Sequence, residues 1–195
     1  MAKTFSNDPK KIGGILILFA ALEIVFFVLL AQHLYPNYSL SDNYISDLGV
    51  GSTAIIFNTA MQLFGLLLAA ASYFLYKAGW KYSALAFLVT GIAGFCVGTF
   101  PETTGLPHVL SAMVTFDSVA VAAFGFSRVF KGYLSYYSLA AGLVGLLVTV
   151  LFVANLVTGS QMTFGLGRGG VEEVLFYDEL IWAMVTGFCF ATKRI

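Results

Sequence analysis

Asp47, Glu102, His108, Glu172 and Glu173 are the side chains of this sequence best suited to bind a ligand or move a proton. They fall in or beside short polar stretches that interrupt long apolar runs. The longest stretch, about 34 to 52, contains YPNYSLSDNYISDLGVGS and has no Lys or Arg. A loop of that length bearing aromatic, hydroxyl and carboxylate groups is expected to be partly ordered over whatever lies beneath it. Glu102 and His108 follow in a second stretch. Arg168 and the Glu172-Glu173 pair follow in a third. Carboxylates with an imidazole can act as general acid and base, and Asp47, His108 and Glu172 are the candidates for that role. Asp47, Glu102, His108 and Glu173 are the corresponding candidates for a divalent metal, an optional cofactor. With Arg168 the group could instead hold a lipid headgroup or form a salt-bridge cluster. Each residue also has a plainer role: Asp47 as a turn or cap, His108 beside Pro107 as a cap, and the glutamates as complements to a helix dipole.

A second set of acids lies inside apolar runs. Glu23 and Asp117 are each about eleven residues, hence about 16 Å, from a helix end. Glu179 and Gln62 are somewhat shallower, and no Lys or Arg is available to any of them. An unpaired carboxylate in hydrocarbon takes up a proton, shares one or holds a cation. Glu23, Asp117 and Glu179 are therefore candidates for proton or cation handling, with protonated interhelical hydrogen bonds and a water-filled cavity as the alternatives.

The elements that must position these groups follow from hydropathy. The chain has 195 residues, 59% hydrophobic and 10% charged, against about a quarter charged in soluble domains. Apolar runs at about 12–33, 53–76, 82–99, 106–128, 135–157 and 171–191 are each long enough to span a bilayer. This predicts an all-α fold, one domain over 1–195 built as a bundle of six transmembrane helices. The first run reads as a retained helix rather than a signal peptide.

Charge tests the count independently. Lys3, Lys10, Lys11, Lys77, Lys81, Arg128, Lys131, Lys193 and Arg194 fall on alternate connections and both tails, and only Arg168 falls on the other side. Positive charge is retained in the cytoplasm, so a multi-pass protein of the cell membrane with both termini cytoplasmic is expected. Of the ten acids only Asp8 lies on the basic side; orientation does not explain the rest. The zero net charge gives no reason to expect nucleic acid as a partner.

Packing signals are small and polar residues at helical spacing: Gly91, Gly94 and Gly98 in the third run, Gly142 and Gly145 in the fifth, and Asn58, Gln62, Gly65 and Ala69 in the second. Glu172 and Glu179, seven apart, share a face and are expected to reach one vestibule. Cys96 and Cys189 are assigned to opposite membrane faces, beyond the reach of a disulfide, and read as packing residues.

Asn43-Tyr44-Ile45-Ser46-Asp47-Leu48-Gly49, then Phe57-Asn58, Gly98-Thr99-Phe100-Pro101-Glu102 with His108, and Glu172-Glu173 resemble the prokaryotic membrane family called domain of unknown function 998. The likeness spans nearly the whole chain. A more distant similarity, through Tyr44 to Gly49 and His108, runs to the DRAM-type autophagy modulators and a related protein of GPI-anchor lipid remodelling. It implies six membrane helices and lipid handling, without an agreed catalytic residue. Three functions stay open: binding or remodelling of a lipid headgroup at the outer leaflet, proton- or cation-coupled transport, and a non-enzymatic subunit or scaffold. The corresponding partners are membrane lipids, another membrane protein or a second copy of the chain.

Overall fold

The computed structural model describes residues 8–160 and 162–192. Lys3, Lys193 and Arg194, which enter the charge alternation, lie outside the described residues. Six helices make up the fold: α1 (Pro9–Leu34), α2 (Ala54–Lys77), α3 (Lys81–Thr99), α4 (Leu106–Ser127), α5 (Tyr133–Thr158) and α6 (Gly167–Thr192). Three short 3₁₀ turns, Ile45–Gly49, Gly51–Thr53 and Glu102–Thr104, sit in two of the connections, and there is no strand among the described residues. All six helices are long and apolar enough to cross a membrane. The molecule is a multi-pass membrane protein.

Each helix packs against the next in sequence, and α6 returns to α1, so the bundle closes as a ring. Close approach of α2 and α3 depends on the glycine stripes. A Cβ on Gly91 would stand 2.7 Å from the backbone nitrogen of Ala69, and one on Gly65 2.5 Å from that of Phe95. Gln62 crosses the same seam, donating to the Gly98 carbonyl and Thr99 Oγ1, both at 3.4 Å. Asn58 faces the first connection instead, donating to the Gly49 carbonyl at 3.0 Å.

The two ends of the bundle are filled differently. Around Lys10, Lys77, Lys81, Arg128 and Lys131, the basic end, Trp80, Phe126, Phe130 and Phe190 interlock with ring centroids 4.6 to 5.9 Å apart. Trp182 continues this block inward, its indole N–H donating to Ser138 Oγ at 2.8 Å. Aromatic volume fills the interior there, while a wide open groove of about 550 Å³ runs outside it between α2 and α3, lined by Ala69, Ser72, Tyr76, Lys81 and Leu85. At the opposite, acidic end, the connections at 35–53 and 100–105 and residues 159–160 and 162–166 come together, and the helices enclose cavities.

α6 opens four residues before the apolar run that announced it. Glu172 and Glu173 therefore lie in its second turn, past the orphan N–H groups of the helix start, and the dipole role expected of them is replaced by specific contacts. The extension is the run Gly167-Arg168-Gly169-Gly170, on which the first connection rests. The Gly169 N–H donates to the Ser41 carbonyl at 3.0 Å, and a Cβ on Gly169 would meet the carbonyls of Asn43 and Leu40.

Candidate functional site

The connection between α1 and α2 is held by its own polar groups. Asp47 accepts from Asn43 Nδ2 at 2.8 Å and from the Tyr44 N–H at 3.1 Å, closing the 3₁₀ turn from its third position. Its carboxylate thus caps that turn rather than α2. This turn places Tyr44 and Ser46 over the bundle, where both line a cavity of about 180 Å³.

That cavity lies between α4, α5 and α6. Its polar groups are Tyr44, Ser46, Glu102, His108 and Glu172 at the acidic end, with Thr149 deeper; Met113, Phe116, Val148, Phe152 and Leu175 make much of the apolar wall. Glu102 follows the helix-ending Phe100-Pro101 and is half-buried within hydrogen-bonding reach of Asp47 and Ser46. Burial pushes its carboxyl up to about 7, and the neighbouring Asp47 carboxylate acts in the same direction. Desolvation and a like charge both disfavour the ionised form. Glu102 is thereby poised to gain or lose a proton near neutrality.

His108 is buried in the first turn of α4, with Nδ1 2.8 Å from the Phe100 carbonyl. A carbonyl only accepts, so Nδ1–H is the donor and the neutral ring keeps its lone pair on Nε2. Glu172 is fixed from the other side, its Oε2 accepting the Ile45 N–H at 2.6 Å.

Of the expected catalytic residues, His108 and Glu172 line this cavity, and Asp47 stands behind Glu102. Glu173, expected with Asp47, Glu102 and His108 as a metal ligand, is turned toward α1. Its Oε1 accepts from Gln32 Nε2 at 2.7 Å and from the Tyr38 hydroxyl at 3.1 Å. Burial and the neighbouring glutamates raise the Tyr38 hydroxyl, keeping it a donor. Among the described residues no three of His, Cys, Asp and Glu are grouped so as to hold a metal ion.

The deeper acids are spread over two places. Glu179 lines a small cavity of about 40 Å³ with Thr115, Phe64 and Phe87, separate from the one that Glu172 lines. Seven residues of helix rise about 10 Å, which puts Glu179 one layer further in. Glu179 Oε1 and Asp117 Oδ1 are buried without a hydrogen bond, and Glu23 lies on α1 with both carboxylate oxygens buried and unbonded. Sequence reasoning passed over Tyr44, Ser46, Gln32 and Asp178; for Tyr44 and Ser46 the available signal was their place in the Asn43 to Gly49 segment.

A family model described as "Protein of unknown function (DUF998)" matches residues 18–189. The chain belongs to the DUF998 family. All the residues placed above at the acidic end of this DUF998 protein fall within the matched stretch. No curated protein and no solved structure matches it.

Proposed function

We propose that this DUF998 protein binds a membrane lipid in the cavity between α4, α5 and α6, with the headgroup at the acidic end and that end at the outer leaflet. The observation that carries the reading is the cavity's polarity gradient. Ionisable and hydroxyl groups cluster at its acidic end, while Met113, Phe116, Val148, Phe152 and Leu175 supply hydrocarbon contacts. At about 180 Å³ it is smaller than the about 300–1,000 Å³ of sites for drug-sized ligands. It suits a headgroup and the first carbons of one chain, the remainder lying in the bilayer. The charge alternation supports the orientation, since six described Lys and Arg residues fall at the basic end.

Native mass spectrometry of the protein released from lipid nanodiscs tests this. One retained lipid per chain is expected for the wild type, and loss of it for Ala112→Trp, which fills the cavity from α4. A folded wild-type protein that retains none, or an Ala112→Trp variant that retains as much, overturns the reading.

A second reading, proton- or cation-coupled transport through Glu23, Asp117 and Glu179, draws on the buried carboxylate oxygens of all three that lack a hydrogen bond. It requires flux into proteoliposomes that falls with Glu23→Gln or Asp117→Asn; indifferent flux counts against it.

A further inference from the structure

A second cavity of about 260 Å³ adjoins the first, lined by Tyr44, Phe152, Asn155, Ser160, Thr163, Arg168 and Val171 among others. Tyr44, Phe152 and Val171 line both. The two cavities thus meet along these three side chains, with Glu102 and Glu172 on one side and Arg168 on the other.

Arg168 and Glu172 stand four residues apart on α6. At that spacing an arginine and a glutamate are neighbours on one helix face, about 5–6 Å between Cβ atoms, and ordinarily pair with each other. Here each is held by a different backbone group of the first connection. Arg168 Nε–H donates to the Asp42 carbonyl at 2.6 Å, and Glu172 Oε2 accepts the Ile45 N–H at 2.6 Å. Tyr44 stands between, its ring centre 5.1 Å from the guanidinium carbon. The bond through Nε and the ring contact fix the guanidinium plane while leaving its terminal N–H groups for an incoming acceptor. Glu172 likewise keeps Oε1 beyond the Ile45 bond. The result is a fixed guanidinium and a fixed carboxyl group, adjacent but bound apart, on either side of the edge that the two cavities share.

We propose that the lipid held here carries a phosphate joined through a short link to a primary amine, the phosphate on Arg168, the ammonium on Glu172 and Glu102, and the acyl chain leaving the phosphate past Phe152, which lines both cavities, toward Val148 and Phe116. This rests on the lipid-binding reading above and names its substrate class. Guanidinium forks match phosphate oxygens in two parallel hydrogen bonds, and a primary ammonium has three donors for the carboxylate oxygens. A lipid with phosphate alone would bring negative charge beside Glu102, Glu172 and Asp47. A lipid with neither group would leave the terminal N–H groups of Arg168 and the free oxygens of the carboxyl groups unmatched.

The test is competitive retention of lipids with identical chains by the full-length protein in nanodiscs, read by native mass spectrometry. The probes are phosphatidylethanolamine, phosphatidic acid, phosphatidylglycerol and diacylglycerol. Wild type is expected to retain phosphatidylethanolamine over each of the others by about tenfold, the effect of one charge-assisted hydrogen bond. Arg168→Gln is expected to bring it down to the level of diacylglycerol, and Glu172→Gln to erase its advantage over phosphatidic acid and phosphatidylglycerol. Should a variant fail to fold, the wild-type ranking decides alone. Equal retention of all four lipids, or preference for phosphatidic acid, overturns the headgroup assignment and leaves lipid binding standing. Retention of none overturns both.

Discussion

Asp47 is where residue types mislead most easily. It sits in the most polar segment of the chain, yet its carboxylate accepts from Asn43 and the Tyr44 N–H and closes a turn. Asp47→Ala is expected to cost about 1–2 kcal/mol, as loss of a capping carboxylate does, measurable as a lowered melting temperature in detergent. His108→Ala removes the bond to the Phe100 carbonyl at about 1 kcal/mol; the variant is expected to stay folded while lipid retention falls. Glu102 is one source of pH dependence. Its carboxyl is raised from the ordinary 4.5 to about 7, so the folded state holds this proton more tightly than the unfolded chain. The stability it contributes is full below about 4.5 and is lost as pH rises through about 7. Melting temperature measured from pH 5 to 8 should fall over that interval in the wild type, and fall less in Glu102→Gln; equal slopes would exclude Glu102 as the source. The sequence made Glu102, His108 and Glu172 visible as chemistry. It could not separate Glu172 from Glu173, since neighbours on a helix diverge by about 100° and only the packing of α6 decides which meets the cavity and which meets Gln32.

α6 holds the connection between α1 and α2 in place through its glycine-rich start. Gly169→Val would drive a side chain into the Asn43 and Leu40 carbonyls, displacing the segment that supplies Tyr44 and Ser46 to the cavity. Overpacking of this kind costs about 1–3 kcal/mol. The expected outcome is a lowered melting temperature with loss of lipid retention; unchanged values for both would show that the glycine is not needed there. The helices themselves were readable from apolar runs, and the stripes of Gly65, Gly91 and Gly98 correctly marked a close helix seam. The first turn of α6 was not readable that way, because glycine and arginine add no hydropathy although they are helical here. Helix phase was only partly readable. Glu172 and Glu179 do share a helix face, but the about 10 Å between them places them at two cavities rather than one.

At the scale of the molecule, an aromatic block fills the interior of the basic end, with an open groove outside it between α2 and α3, whereas the cavity that carries Glu102, His108 and Glu172 lies at the acidic end. The distribution of charges foreshadowed the acidic end without revealing its space. The orientation assigned to these ends has its own check. In a cysteine-free background, Ser41→Cys is expected to react with a membrane-impermeant maleimide added to intact cells, and Lys131→Cys only after lysis; the reverse pattern would invert the topology. The central claim is that a lipid occupies the space between α4, α5 and α6. Its most direct measurement is photocrosslinking with phosphatidylethanolamine carrying a diazirine near the start of one acyl chain, followed by peptide mapping. Labelling concentrated on Met113, Phe116, Val148 and Phe152, and abolished in Ala112→Trp, is the expected result. Labels confined to the exposed outer faces of the helices, at Phe19, Phe26, Leu66 and Leu147, and unaffected by Ala112→Trp, would contradict it.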